Sequence, residues 1–265
     1  MPDLERPRPE RTRPERTRPE RPCLETPRLE RPRLDAAQGV RLSSPSYRQE
    51  FRERRWTVAG RDCWKLERQQ HFQEPRNESW QAFSRGDWDE ALRLIEQGRE
   101  DLMKLAQDSD AHRSHFFRVR VVEQPLTSYL QWELTTLRLR AELMGRIRVW
   151  APEEPPEPSS LSGLPEPSGP LGPLGPLEVS GSSRLSELDR LEESGPLPEI
   201  VVMGGHTLYQ VLYDDNGIGD GALRFTDPEA IAQWEKFIQV LYHEAEDLRS
   251  FVDREVTPAT SARSI

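Results

Sequence analysis

Few side chains in this sequence are both reactive and placed to act together. His206 precedes a run carrying Tyr209 and Asp214, a polar trio that works as an acid–base group on a hairpin only if all three converge. No lysine lies two residues after His206, where Thr207, Leu208 and Tyr209 follow, so the HxK element of phospholipase D-type catalysis is absent. Asp214 and Asp215 read more simply as turn formers, because the Asn216-Gly217 that follows supplies the positive φ of a hairpin turn. His112 and His115, behind Asp108 and Asp110, are the nearest approach to a metal pair, and a helix-to-strand loop with two surface histidines is the simpler reading. Gly204-Gly205 follows a strand but opens no helix, so it lacks the context of a dinucleotide site. No phosphate-binding glycine loop, HExxH, GxSxG or EF-hand pattern occurs. Arg118, Arg120, Arg138, Arg140, Arg146 and Arg148 form either a basic face or, as the nearby acids favour, a solvated strand face. The sequence therefore predicts no catalytic residue, no cofactor and no metal.

The elements that would position such groups are centred on Phe116 to Trp150. Phe117, Val119 and Val121 alternate with Arg118 and Arg120, which predicts a strand with one buried and one wet face. Ile147 and Val149 repeat the alternation. Between them Leu126, Tyr129, Leu130, Leu134, Leu137 and Ala141 recur at helical spacing, giving a crossover between two parallel neighbours. Upstream, Tyr47 to Phe72 is an aromatic-rich opening expected at the sheet edge or as a core plug. Asn77 caps a short helix ended by Gly86, and Asp87 opens a second that keeps its apolar stripe to about Gln107. Downstream, Ile200 to Met203, Thr207 to Tyr213 and Ala222 to Phe225 read as a buried strand and a hairpin. Asp227 and Pro228 then open a helix whose Ile231, Trp234, Ile238, Leu241, Ala245 and Leu248 form a regular seam.

Composition divides the 265 residues. Residues 1–40 are a Pro/Arg/Glu-rich arm and 151–198 a Pro/Gly-rich linker, both expected to be disordered because neither buries enough apolar surface to offset ordering entropy. Residues 41–150 and 199–252 are then two parts of one α+β mixed-sheet domain with packed helices, and 253–265 a frayed tail. The formal net charge of −9 argues against nucleic acid or an anionic membrane as the default partner. No apolar run is long enough for a membrane helix and no disulfide framework exists, so a cytoplasmic protein is expected.

The block RVRVVEQPLTSYLQWEL, followed by IRVW, resembles the signature of an actinobacterial family, domain of unknown function number 6879, with Pro125, Ser128, Tyr129 and Glu133 at its motif positions. CWKLE, VLYDDNG and DPEAIAQWEKF are similar to that family's flanks, so the resemblance spans residues 47 to 250; the long arm and the linker depart from it. It implies companions of Xre-type helix-turn-helix regulators and a last strand-hairpin-helix similar to phospholipase D-like folds that have lost catalysis. The leading expectation is a non-enzymatic regulatory or protein-interaction module whose helix-turn-helix partner supplies the DNA contact. Its candidate partner surface is Gln131, Arg138 and Glu142 on the helix from 125 to 143. The alternatives are a degenerate phospholipase D-like hydrolase or phosphodiesterase using His206 and a carboxylate, and a small-molecule sensor with Tyr129, Trp132 and Trp234 as pocket aromatics.

Overall fold

A computed structural model describes residues 29–151 and 187–256. After a 3-10 turn at Ala36–Gln38, strand β1 (Val40–Leu42) leads into helix α1 (Ser44–Arg55), capped by the Ser43 hydroxyl and started by Pro45. Strand β2 (Cys63–Glu67) follows. Helices α2 (Glu78–Ser84), α3 (Trp88–Gln97) and α4 (Arg99–Ala111) then cross to β3 (Phe116–Val121), with Asn77 and Asp87 capping the first two. Helix α5 (Ser128–Met144), capped by Thr127, returns to β4 (Ile147–Trp150). Beyond residue 186 come α6 (Glu187–Leu191), β5 (Glu199–Met203), β6 (Thr207–Tyr213) and β7 (Gly219–Phe225). Helix α7 (Pro228–Glu244), capped by Asp227, precedes β8 (Glu246–Asp247) and α8 (Leu248–Glu255).

All eight strands of the described residues join one mixed sheet in the order β1-β7-β6-β5-β2-β3-β4-β8, so these residues form a single α+β domain. β2, β3 and β4 are parallel, as the crossover through α5 requires, and every other pair is antiparallel. Both edges are short, three residues at β1 and two at β8, which limits the unpaired backbone offered to another chain. One face of the sheet is covered by α7, whose Ile231, Trp234, Ile238 and Leu241 pack on Trp64, Leu66, Val119, Val121, Ile200 and Val202. That seam joins the segment after residue 199 to the strand-helix-strand unit. The opposite face carries α1 and α5, with α8 packed against α5 through Leu248, Phe251 and Val252. No helix of the described residues is long and apolar enough to cross a membrane.

The structure departs from the sequence reading at several places. β2 is a central strand rather than an edge, lying between β5 and β3 with Cys63 and Leu66 fully buried. Residues 29–40, assigned to the arm, are partly ordered: Leu29 and Leu34 pack on the α7 core and β1 pairs with β7. Residues 187–198, assigned to the linker, hold α6, and Leu188, Leu191 and Leu197 are buried in the same core. The stripe read as one helix to Gln107 is divided at Gly98, which ends α3 and begins α4. The last helix stops at Glu244, where Ala245 turns extended, and α8 restarts on an Asp247 cap. The disorder expected for the rest of the arm, the rest of the linker and the end of the tail falls on residues outside the described ones.

Candidate functional site

The wet face expected for β3 is not wet. Because side chains alternate along a strand, Arg118 and Arg120 share a face with their register partners Lys65 and Glu67 on β2, and α1 and α5 lie over that face. Glu199 of β5 completes the stripe. Arg120 is fully buried; its Nε donates to Glu133 Oε2 at 2.7 Å, and its Nη atoms donate to the carbonyls of Glu67 at 3.3 Å, Val121 at 3.0 Å and Gln69 at 2.5 Å. Glu67 receives Lys65 on one oxygen and Arg118 on the other, the latter at 3.0 Å. Burial alone would push the Glu67 carboxyl up, but Arg118, Lys65 and Arg120 together hold it well below the usual carboxylate range.

Glu199 goes the other way. Its Oε1 accepts the amides of Arg68 at 2.6 Å and Gln69 at 2.7 Å, while its buried Oε2 has no partner. Burial first, and the neighbouring Glu67 second, push its carboxyl up to about 7. Unfolded, the same group ionises near 4.5. Between those values the unfolded chain loses a proton that the folded chain keeps, so stability falls as pH rises from about 4.5 to about 7. Glu67 contributes the opposite slope, but only at lower pH, where protonation removes its attraction to Arg118 and Lys65. Glu199→Gln keeps the acceptor and removes the titration. The variant is expected to match the wild type near pH 4 and to exceed it at pH 8 by about 2–3 kcal/mol, since a tenfold change in proton affinity is worth about 1.4 kcal/mol. Denaturant unfolding at both pH values measures this, and an unchanged pH slope would refute it.

Beside this network a cavity of about 340 Å³ opens between α1, α4, α5 and the sheet. Its inner wall holds Arg55, Lys65, Arg118 and Arg140, and Arg48, Arg52 and Arg146 stand at its rim. Phe51, Phe116, Met144 and Ile147 supply an apolar wall, and among the described residues no carboxylate lines the cavity. Arg55 is buried and makes no ion pair among the described residues; it donates to Ser114 Oγ at 2.8 Å, Ser114 O at 2.9 Å and Ser109 Oγ at 3.3 Å, all neutral acceptors. Its guanidinium lies over Trp56, 4.4 Å from the ring centre. Arg140 has neither a hydrogen bond nor an ion pair among the described residues, and burial together with the adjacent Arg118 pushes it down to about 10. The arrangement concentrates positive charge in a partly desolvated space and supplies fixed donors, which is the chemistry of anion binding.

The residues singled out from the sequence are distributed differently. His206 is exposed in the β5–β6 turn, where Gly204 and Gly205 both adopt positive φ. Tyr209 is buried, with its hydroxyl donating to Glu50 at 2.9 Å. Asp214 sits past the far end of β6, accepting the amides of Asn216 and Ile218 at 2.9 Å each, so it is the turn former anticipated. A seven-residue strand separates His206 from Asp214, and the trio does not converge. Tyr129 and Trp132 pack with Phe72 and Trp80, whereas Trp234 lies on the opposite face of the sheet, so the three pocket aromatics belong to two separate cores. Gln131 is buried rather than free. Arg138 pairs with Asp253 of α8 at 2.9 Å, and Glu142 is exposed within reach of Arg99 at 3.6 Å. His112 Nδ1 lies 2.7 Å from the Asp108 carbonyl, and His115 Nδ1 is 3.7 Å from Asp110. Of the six arginines grouped in sequence, Arg118, Arg140 and Arg146 reach the cavity, while Arg148 is bound by the Tyr242 and Ala245 carbonyls at 3.2 Å each. The sequence reading missed Arg48, Arg52 and Arg55, whose spacings of four and three in YRQEFRERR place them on one face of α1.

Fold and site together define a mixed-sheet α+β module that carries an arginine-lined cavity. The chain belongs to the family described as domain of unknown function (DUF6879), whose profile matches residues 49–166 and 181–253. No match is found among curated proteins or among solved structures.

Proposed function

We propose that this chain is a non-enzymatic regulatory module that works by binding: it takes up a small anion in the cavity beneath α1 and engages a helix-turn-helix regulator that makes the DNA contact. The observation carrying this reading is the unbalanced charge of the cavity, with arginines from α1, β3 and α5 and, among the described residues, no acid in the lining. An acid–base catalyst needs a group that accepts a proton beside one that donates it. Here the walls offer mainly fixed cationic donors; the one imidazole of the lining, His115, has its Nδ1 3.7 Å from Asp110, and the Glu67 carboxylate beside the cavity is already engaged by Lys65 and Arg118. The regulator is inferred from the character of the family, and the net charge of −9 supports assigning the phosphate contacts to a partner.

Capture from the native host tests the reading. The tagged chain is expected to retain a helix-turn-helix protein, with recovery changing at least several-fold when small anions are dialysed away. In a gel shift the chain alone is expected to leave genomic fragments unshifted at physiological salt. Tight, sequence-selective DNA binding by the chain alone would contradict it.

A further inference from the structure

We propose that the cavity's ligand is an organic phosphate monoester, a dianionic head carried on a flat apolar body, and that Arg55 and Arg140 are the residues that hold the head. This rests on the anion-binding reading above and gives its ligand class. The inner wall presents four cations, Arg55, Lys65, Arg118 and Arg140, of which Glu67 pairs with Lys65 and Arg118. Two of the four, Arg55 and Arg140, have no ion-pair partner among the described residues. A monoanion would leave that surplus largely uncompensated.

Geometry separates phosphate from carboxylate. The donors come from three directions, Arg55 from α1, Arg118 from β3 and Arg140 from α5. A planar carboxylate offers two oxygens in one plane, while a phosphate monoester offers three terminal oxygens arranged as a tripod, which suits guanidinium groups brought to one cavity from three elements. Arg55 is preset for this role, since Ser109 and Ser114 fix its Nη atoms and Trp56 and Phe116 flank its plane, at 4.4 Å and 5.7 Å from the ring centres. Phosphate chemistry alone does not explain the apolar wall. Phe51 and Phe116, with ring centres 6.1 Å apart, continue into Met144 and Ile147, an apolar surface that a bare inorganic ion leaves unfilled. A volume of about 340 Å³ suits one ring system with its head group.

Calorimetric titration of the full chain with four probes tests the assignment: 1-naphthyl phosphate, 1-naphthoate, 1-naphthol and inorganic phosphate. The naphthyl phosphate is expected to bind at least tenfold more tightly than each of the others. Naphthoate binding as tightly would overturn the phosphate head, and inorganic phosphate binding as tightly would overturn the apolar body; either result leaves an anion site standing. No binding by any of the anions would overturn the proposed function as well. Arg140→Gln supplies the second readout, because Arg140 has no partner to lose and faces a like charge. It is expected to weaken naphthyl phosphate at least tenfold while leaving the melting temperature unchanged or slightly raised. Unchanged affinity in the variant would remove Arg140 from the site.

Discussion

Arg120→Met is expected to lower the stability of the fold by about 3–5 kcal/mol, the largest effect of any single charge removal in this molecule. The arginine is fully buried, and its guanidinium satisfies Glu133 together with three main-chain carbonyls. Removing it leaves the Glu133 carboxylate inside the protein without its cation. It also leaves the carbonyls of Glu67 and Gln69, at the end of β2, short of a donor. Breaking one half of a buried pair costs more than the pair itself is worth, because the survivor keeps its desolvation penalty. Arg120→Met combined with Glu133→Leu is therefore expected to recover a large part of the loss. Denaturant unfolding at pH 7 measures both. A single-variant loss below about 1 kcal/mol, or no recovery in the double variant, would mean that this pair does not organise the face between the sheet and α5.

Trp234→Ala is expected to cost about 3–5 kcal/mol on the opposite face. The indole is 1% exposed at the middle of the α7 seam, edge-on to Phe237 at 5.4 Å, in the core that joins β2, β3 and β5. α7 is the principal cover of that face, so a cavity at its centre is shared by strands from both sides of the residues between β4 and β5. Trp234 Nε1 has no hydrogen-bond partner among the described residues. Trp234→Phe is accordingly expected to cost much less than the alanine change, since it retains a ring and forfeits no bond. Thermal and denaturant unfolding check the order. If alanine and phenylalanine cost the same, packing at this site is not what holds α7.

How much of this was legible in the sequence follows from which signals are local. The α5 stripe, the Asp227-Pro228 start of α7 and the turn at Asp214 to Gly217 were readable because each depends on neighbours within a few residues. The burial of Arg118 and Arg120 was not. Period-2 alternation reports that a strand has two unlike faces, but not what covers the second one, and an arginine facing solvent is written the same way as an arginine facing Glu133. α6 was hidden by its setting, since Leu188 and Leu191 follow a proline-rich run and their burial depends on a core built elsewhere. The cavity was the least legible feature. Arg55, Arg118 and Arg140 come from three elements, and only the stripe of Arg48, Arg52 and Arg55 on α1 left a trace in spacing. Glu199 gave no signal at all, because its raised pKa depends first on burial beneath elements placed by the rest of the chain and then on Glu67 of the neighbouring strand.

The arginine side chains themselves report most directly on the central claim, that the cavity binds an organic anion while the adjacent Arg120–Glu133 pair serves only the fold. In protein labelled with ¹⁵N-arginine, the Nε–H signals are followed as 1-naphthyl phosphate is added. The Arg55 and Arg140 signals are expected to shift in a saturable manner, and the Arg120 signal, already committed to Glu133, to stay where it is. Saturable shifts confined to exposed arginines such as Arg93 and Arg249, with Arg55 and Arg140 unmoved, would contradict it.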